Sequence, residues 1–425
     1  MNDYNVLATI DLTKYRSVPE LYNDLLLLKK DEYENNDRIV FVHGQSSKIL
    51  KLVEELLDVI DIPKFFVIYN QVDCNEGLDF EFSQSHCIYP WIGMAIGTIG
   101  DMRACCESKE IIANIADTSI NDVYHGTILK ELRKDLLAGN KPDNCTSCWH
   151  NEANGFVSMR QSAKYKFKDI YYKIDYQKEN FDNLQTFDLK LGNACNLACK
   201  ICNRRSSSKI AEKDYNNGII SLVEFNNLKN STLWAKSEDF WEQLLPTIKN
   251  LKYLDLFGGE PLMSKMHFDL LKKLIDVGVS HDIKIDYNTN GTVFSEKFFD
   301  IWQHFKEVKL SFSIDDIEHR FEEQRSGAIW SSVCENIKKY NSRRNKKFIT
   351  EVYSTVNTQN VFYIPELLEW YSEQSFDHIY FNLLSYPMKY NIISLDKSTK
   401  QKIITKLTPY QHHSICQQII KLLES

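Results

Sequence analysis

The sequence predicts an α/β protein whose main domain is built from parallel βα units. Between residues 185 and 386, short apolar strand-like segments alternate with segments that have helical spacing of apolar residues. A shorter alternation of the same kind occupies residues 1–73. The third observation is that most of the eleven cysteines stand in short-spaced groups, which predicts metal binding in a reducing compartment.

Residues 1–73 are predicted to form a small α/β unit. Its three strand-like segments are 6–12, 38–42 and 65–69. Helices are expected after the first two strands, where Ser17 and then Ser46 or Ser47 provide N-caps. The single Gly44 after the second strand does not make a phosphate-binding loop, so we expect a structural or partner-docking role for this unit.

Composition and charge exclude several classes of function. The chain has 425 residues and a formal net charge of -7, which argues against a nucleic-acid partner or an anionic membrane surface. No run of 18 apolar residues occurs, and no basic segment leads into an apolar one at the N-terminus. We therefore expect a soluble cytoplasmic protein without a secretory signal.

Three cysteines, Cys195, Cys199 and Cys202, follow the strand-like segment at residues 187–191. Their spacing brings three thiols onto one loop, one fewer than the usual four ligands of a 4Fe-4S cluster, so one iron would be open to a small molecule. A zinc knuckle and a group of buried thiols are the alternatives. Zinc usually recruits four ligands, and buried free cysteines do not cluster within eight residues.

A second cysteine group lies within residues 74–165. It offers four thiolates: Cys87, one of the adjacent Cys105 and Cys106, and the Cys-x2-Cys pair Cys145 and Cys148. Four cysteines can hold either an iron-sulfur cluster or a tetrahedral zinc ion, and the sequence alone does not distinguish these two.

Both cysteine groups resemble those of radical S-adenosylmethionine (SAM) enzymes. The spacing Cys-x3-Cys-x2-Cys at residues 195–202 is close to the signature of that superfamily. Residues 74–165 resemble the twitch domain, a shortened SPASM-type auxiliary-cluster domain, in Gly100-x4-Cys105 and in the tail from Cys148 through Trp149, Glu152, Gly155 and Ser158 to Arg160. In this chain the auxiliary domain precedes the main domain, and the resemblance favours Cys105 over Cys106 as a ligand.

The resemblance implies that residues 185–386 form a partial (β/α)6 TIM-like barrel, followed by a C-terminal helical extension at 387–425. The six predicted strands are 187–191, 253–257, 283–287, 308–314, 350–356 and 378–384. Functional residues of such barrels stand at the carboxyl ends of the strands. Two 4Fe-4S clusters are expected per chain.

The resemblance also implies where SAM binds. Gly259 and its neighbours would let the backbone approach the cofactor while Glu260 accepts from its ammonium, and Arg325 would pair with its carboxylate. An exposed, solvated Arg325 is the alternative. Asparagine amides would bind the ribose, and Ile201 would cover the adenine. The predicted SAM contacts are Ile201, Gly258, Gly259, Glu260, Pro261, Asn288, Asn290, Ser313, Asp315, Arg325 and Ser354.

The resemblance implies an enzyme that cleaves SAM reductively to a 5'-deoxyadenosyl radical, which abstracts a hydrogen atom from the substrate. A flavodoxin- or ferredoxin-like protein would donate the electron. The auxiliary cluster would take part in oxidative modification of a peptide or protein side chain. The alternatives are the same chemistry on a small molecule, such as a sugar or nucleotide derivative, and a non-enzymatic binding protein stabilised by zinc. The sequence indicates no particular catalytic side chain.

Overall fold

The described part of the chain divides into two units. The computed structural model describes residues 5–11, 38–43, 65–70, 84–153, 157–171, 173–176 and 184–424. One unit contains the three N-terminal strands and residues 84–91, 131–149, 157–171 and 173–176. The other contains residues 92–130, 150–153 and 184–424. The N-terminal helices predicted after Ser17 and after Ser46 or Ser47 lie outside the described residues.

The first unit contains a three-stranded parallel sheet. Its strands are β1 (Asn5–Asp11), β2 (Arg38–His43) and β3 (Phe65–Asn70), in the order β1-β2-β3. All three begin and end within one residue of the predicted segments, and the parallel pairing agrees with the predicted α/β class. Residues 84–176 are divided between the two units. The helices in this range are Tyr89–Ile92, Ile120–Tyr124, Thr127–Leu137, Thr146–Ala153, Met159–Lys166 and Lys168–Tyr171.

The second unit is organised around a nine-stranded, mostly parallel sheet. In sequence order its strands are β4 (Gly93–Ile96), β5 (Asp101–Arg103), β6 (Ala113–Asn114), β7 (Thr186–Leu189), β9 (Tyr253–Leu256), β10 (Lys284–Thr289), β11 (Glu307–Ser313), β13 (Phe348–Val356) and β14 (His378–Leu383). Across the sheet the order is β14-β13-β11-β10-β9-β7-β4-β5-β6. Two further short strands, β8 (Ala198–Cys199) and β12 (Arg325–Ser326), pair with each other.

All six strands predicted for the main domain are present in this sheet. They pair side by side in chain order, and every one of these pairs is parallel. The sequence did not indicate β4, which adds a parallel neighbour to β7, or β5 and β6, which extend the sheet with antiparallel pairs. The α/β class is therefore confirmed, whereas closure of the strands into a partial barrel remains a prediction.

Helices occupy the connections between the parallel strands, as βα units require. They are Ser208–Asn216, Leu222–Asn230, Glu238–Thr247, Lys265–Asp276, Glu296–Trp302, Glu318–Gln324, Trp330–Asn341 and Ile364–Ser372. Lys397–Leu407 and Ser414–Glu424 follow the last strand. In the described ranges, no helix combines the length and the apolar character needed to cross a membrane.

Buried apolar side chains lie between the sheet and its helices. On β10, Ile285, Tyr287 and Thr289 are buried, and the residues between them are more exposed, because successive side chains of a strand point to opposite faces. Tyr287 contacts Trp302 and Phe298 of the next helix, with ring centroids 5.6 and 6.1 Å apart. This packing fixes the strands, so the loops at their carboxyl ends start from defined positions.

Candidate functional site

The cysteine loop, residues 190–207, follows the carboxyl end of β7 and is hydrogen-bonded to the start of the next helix, Ser208–Asn216. The backbone N–H of Cys195 donates to Ser208 Oγ at 3.1 Å. Ser207 caps the helix Ser208–Asn216, and its hydroxyl donates to the carbonyl of Leu197 at 2.7 Å. The loop is therefore held at two points by hydroxyls that lie five and six residues after the third cysteine, Cys202.

The three thiols of this loop are close enough to influence one another. Burial raises the pKa of all three thiols, and it raises that of Cys199 to about 11. Arg325 lowers the pKa of Cys199, while the neighbouring thiols of Cys202 and Cys195 raise it. Binding of iron would therefore have to displace protons from these thiols. Among the described residues, no group of three or more His, Cys, Asp or Glu side chains is arranged to hold a metal ion.

The Gly-Gly-Glu segment after β9 is bonded directly to the cysteine loop. Gly259 donates its N–H to the carbonyl of Ser206 at 3.1 Å, and Glu260 donates its N–H to the carbonyl of Ala194 at 2.8 Å. Gly258 and Gly259 have positive φ angles of 89° and 60°. A Cβ atom on Gly259 would overlap the Ala194 carbonyl oxygen. The two predicted motifs therefore meet, and the close approach requires glycine.

The Glu260 carboxylate joins this segment to the loop after β10. It is fully buried and accepts from the Thr289 hydroxyl and the Asn290 N–H, each at 2.7 Å, and from the Leu262 N–H at 3.2 Å. Burial raises its pKa to about 7, although these hydrogen bonds oppose the shift. Three of about four lone-pair sites on a carboxylate are thus used within the chain, which leaves room for one further donor.

Asn290 brings the loop after β10 against the first cysteine. Its Nδ2 donates to Asn196 Oδ1 at 3.1 Å and lies 4.0 Å from Cys195 Sγ. Its Oδ1 accepts from the backbone N–H of Thr292 at 2.9 Å. Asn288, by contrast, is exposed on β10. Of the two asparagines predicted to contact SAM, only Asn290 touches the cysteine loop through these hydrogen bonds.

Arg325 reaches the cysteine loop through a two-residue β-bridge. β12 pairs antiparallel with β8, which sets Arg325 opposite Cys199. Arg325 is buried, and its Nη2 forms an ion pair with Asp315 at 2.6 Å. The alternative of an exposed, solvated Arg325 is therefore wrong, because the bridge carries it inward to a carboxylate. Within the described residues, its buried Nε has no hydrogen-bond partner.

The other predicted SAM contacts have varied surroundings. Pro261 is buried at the first position of a short 3-10 helix, and Ile201 and Ser313 are half-buried. The Ser354 hydroxyl is buried and hydrogen-bonded to the Ile314 carbonyl and the Tyr371 hydroxyl. Ser354 therefore already has two partners within the fold, and its predicted contact with SAM stays a prediction.

The cysteines predicted to bind the auxiliary cluster belong to both units. Cys87, Cys145 and Cys148 lie in the first unit, while Cys105 and Cys106 lie in the second. Burial, together with the nearby thiol of Cys148, raises the pKa of Cys145 to about 11. Next to this pair, Trp149 donates from its indole to the Pro142 carbonyl at 3.0 Å, and Arg160 lies 5.0 Å from its ring centroid. The ligand set itself remains a prediction.

Several residues that shape the site were not predicted from the sequence. Ser207 and Ser208 anchor the cysteine loop, and Thr289 binds Glu260. The serines carried a usable signal, since a serine before a helical segment is a common N-cap. Pairing of Arg325 with Cys199 carried no such signal, because it depends on two chain segments that are distant in the sequence.

Comparison with protein families identifies two domains. Residues 189–371 match the radical SAM superfamily, and residues 87–149 match SPASM, described as an iron-sulfur cluster-binding domain. The chain thus carries a radical SAM domain with a SPASM domain on its N-terminal side, in the predicted order. Domains of these two kinds are typical of the radical SAM enzyme class.

Comparison with individual proteins gives no assignment more specific than this class. No curated protein matches the chain. Among solved structures, anSMEcpe with bound AdoMet shares 18% identity and a TM-score of 0.37 over 53% of this chain and 60% of that one. SuiB of Streptococcus suis, bound to its precursor peptide SuiA, shares 17% identity and a TM-score of 0.35 over 53% of this chain and 46% of that one. This chain therefore spans less than two thirds of each structure, and similarity of this size establishes no shared activity.

The site has features that fit the cofactors of this class. The three thiols stand on one loop, and Gly258 and Gly259 can approach that loop closely because they have no side chains. The buried Nε of Arg325 has no hydrogen-bond partner among the described residues. Cys195, Cys199 and Cys202 would hold a 4Fe-4S cluster with one iron left without a protein ligand, and Glu260, Asn290 and Arg325 all contact the loop that carries these cysteines.

Proposed function

We propose that the chain binds SAM at a 4Fe-4S cluster held by Cys195, Cys199 and Cys202, and cleaves it reductively. The observation that carries this proposal is the pair of backbone hydrogen bonds between the Gly259-Glu260 segment and the cysteine loop. These bonds hold a predicted SAM-binding segment beside the predicted cluster ligands. When bound, the cluster and SAM together supply a 5'-deoxyadenosyl radical that takes a hydrogen atom from an unreactive C–H bond.

The side chains around the cysteine loop have distinct proposed roles. The remaining lone-pair site of Glu260 would accept from the SAM ammonium, and Arg325 Nε would donate to its carboxylate. Asp315 would keep the guanidinium oriented through their ion pair. Asn290 would hold its loop against the cysteines, and Ile201 would cover the adenine. The positive charge of Arg325 beside Cys199 also favours the thiolate form of that ligand.

We propose a peptide or protein side chain as the substrate. The SPASM match supports this choice, since the auxiliary-cluster proteins that the chain resembles commonly modify peptides. An auxiliary 4Fe-4S cluster on Cys87, Cys105, Cys145 and Cys148 would accept an electron from the substrate radical. The net reaction would then be an oxidation.

A small-molecule substrate is the second candidate, and one observation favours it. On strands next to the site, the buried Glu351 lies 3.7 Å from Lys309 and accepts from the Ser311 hydroxyl at 3.3 Å. These side chains stand on the face of β11 and β13 opposite the buried Val308, Leu310 and Phe312. Charged groups on that face suit a compact polar substrate better than an apolar peptide side chain.

The test is anaerobic reconstitution followed by incubation with dithionite and SAM. The wild-type protein is expected to form 5'-deoxyadenosine, and Cys199→Ala is expected to form only background amounts. Cys334→Ala is the matched control, because Cys334 lies on the helix Trp330–Asn341 and belongs to neither cysteine group. Equal product from Cys199→Ala and the wild type would contradict the proposal.

Metal analysis separates this proposal from the non-enzymatic zinc-stabilised alternative. Two clusters correspond to about eight irons per chain, with sulfide and brown absorbance. Two zinc ions per chain and no 5'-deoxyadenosine after reduction would support the binding protein instead.

A further inference from the structure

The helices that follow the cysteine loop are fastened to it. Arg204, two residues after the last cysteine, forms ion pairs with Asp214 at 3.0 Å and with Glu224 at 3.1 Å. The rings of Tyr215 and Phe225 stack at 5.0 Å with an interplanar angle of 14°. These contacts join the helix Ser208–Asn216 to the helix Leu222–Asn230. Arg204 holds both helices beside the cysteine loop.

A groove between these two helices reaches one of the predicted cluster ligands. Its volume is about 280 Å³, and its lining includes Cys195, Ser208, Lys209, Phe225, Leu228 and Lys229. The residues that line this groove do not include Glu260 or Arg325.

The surface beside the groove is apolar in part. Ile219, Leu222 and Val223 are 60%, 54% and 69% exposed, which is unusual for large apolar side chains that stand together. Leu222 shares a helix face with Phe225 and Lys229, since residues three and four apart line one side of a helix. The apolar surface therefore continues into the groove.

The same surface is basic although the whole chain is acidic. From Lys200 to Lys236 the chain has seven Lys or Arg residues and only three Asp or Glu residues, against a net charge of -7 overall. All three acids are engaged: Asp214 and Glu224 pair with Arg204, and Glu212 pairs with Lys209 at 2.9 Å. Lys229 lines the groove, Arg205 and Lys213 are exposed on the same chain segment, and all three contribute to the excess positive charge.

We infer that this groove and its basic rim are the docking surface for an acidic one-electron donor protein of the flavodoxin or ferredoxin kind. The inference rests on the proposed function. The donor would lose one electron, and the cluster beside Cys195 would gain it, passing from the 2+ to the 1+ state. Charge complementarity steers such partners and speeds association, and the exposed apolar residues supply the centre of the contact. Reduction would then enter through a groove whose lining residues do not include Glu260 or Arg325.

The test uses a bacterial flavodoxin as the probe and the double variant Arg205→Glu/Lys229→Glu. Binding of oxidised flavodoxin to the cluster-free chain is expected to weaken by about tenfold or more at low salt. Cluster reduction by flavodoxin hydroquinone, followed by absorbance, is expected to slow by a similar factor. Reduction by dithionite is expected to stay at the wild-type rate, because that reductant needs no docking surface.

Lys397→Glu/Lys402→Glu is the matched control, since both lysines are exposed on a helix outside this surface. It carries the same charge change and should leave both flavodoxin measurements unchanged. Equal effects of the two double variants, or wild-type behaviour of Arg205→Glu/Lys229→Glu, would overturn the inference. So would a wild-type chain that binds no flavodoxin but forms a dimer that Arg205→Glu/Lys229→Glu dissociates. Absence of 5'-deoxyadenosine with dithionite would instead count against the proposed function.

Discussion

Gly259 illustrates how one residue joins two distant parts of the sequence. Its sequence context predicted only that the backbone would approach a ligand closely. In the structure the same lack of a side chain lets the segment approach the Ala194 carbonyl, and the neighbouring N–H of Glu260 bonds to that carbonyl. The glycine is therefore required by contact within the chain, in addition to any contact with SAM.

Replacing Gly259 with alanine should disrupt the cysteine loop. The added Cβ would overlap the Ala194 carbonyl, so we expect loss of SAM binding and lower iron content, measured by equilibrium dialysis and iron analysis. Gly278→Ala is the control, because Gly278 also has a positive φ, of 81°, but nothing lies within 4 Å of its Cβ position. That control should lose only about 1–2 kcal/mol of stability and keep its iron. Comparable iron loss in both variants would contradict the role given to Gly259.

His267 should make the stability of the chain fall in mild acid. It is fully buried, and burial lowers its pKa from 6.5 to about 3. The neutral ring is therefore favoured in the folded state, and its contribution is present above pH 6.5 and lost as the pH falls towards 3. Between pH 6.5 and 4.5 the wild type should lose about 2–3 kcal/mol more than His267→Phe, measured by urea unfolding of the cluster-free chain.

The control for this measurement is the exposed His281, which lies close in sequence. His281→Gln should follow the wild-type pH profile. Parallel profiles for the wild type and His267→Phe would show that His267 is not buried in its neutral form.

At the residue scale, side-chain chemistry was predictable and side-chain environment was not. The type and spacing of Cys195, Cys199 and Cys202 were enough to indicate a cluster loop. Burial of Arg325 against Asp315, and the hydrogen bond between the Ser354 and Tyr371 hydroxyls, depend on contacts between different elements of the fold. Patterns within a short segment carry no information about such contacts.

At the scale of elements, the ion pair between Asp315 and Arg325 joins the end of β11 to β12. Because β12 pairs with β8, this ion pair also positions the cysteine loop. Removing one partner of a buried ion pair leaves an uncompensated charge. The link between these elements should therefore be sensitive to loss of either side chain.

Asp315→Ala is expected to cost about 3–5 kcal/mol of stability and to loosen the cysteine loop. Asp282→Ala is the matched control, since Asp282 forms an exposed ion pair with Lys252 at 3.0 Å, and exposed pairs contribute little. Denaturant unfolding of both variants measures the difference. Similar unfolding midpoints for the two variants would contradict the importance of the buried pair.

The regular elements of the main domain were largely predictable from the sequence. Strands such as β11 and β13 contain runs of alternating or continuous apolar residues that are long enough to recognise. β4, β5 and β6 were missed because they have only four, three and two residues, too few to show a period. Their place in the sheet comes from pairing with β7 and with one another, which is a tertiary contact.

At the scale of the whole molecule, the order of the two cysteine groups was predictable and is confirmed by the family matches. The SPASM match ends before the radical SAM match begins. The choice between Cys105 and Cys106, the domain boundaries and the number of clusters remain predictions. They depend on how distant segments meet, which local sequence patterns do not encode.

Loss of the auxiliary cluster should separate the two proposed steps of the reaction. Cys148→Ala is expected to reduce the iron content to about four per chain, to retain 5'-deoxyadenosine formation with dithionite, and to stop oxidation of the substrate. Iron analysis and product chromatography on the same sample measure all three. Unchanged iron content would remove Cys148 from the ligand set, and loss of 5'-deoxyadenosine formation with the radical SAM cluster intact would contradict separate roles for the clusters.

The central claim is that the fourth iron of the cluster on Cys195, Cys199 and Cys202 is open and binds SAM. Hyperfine coupling between the reduced cluster and SAM labelled with nitrogen-15 in its amino group tests this claim in the wild-type protein. A coupling of the size expected for nitrogen bound directly to iron is the predicted result. A fully loaded, reduced cluster that shows no such coupling at saturating SAM would contradict it.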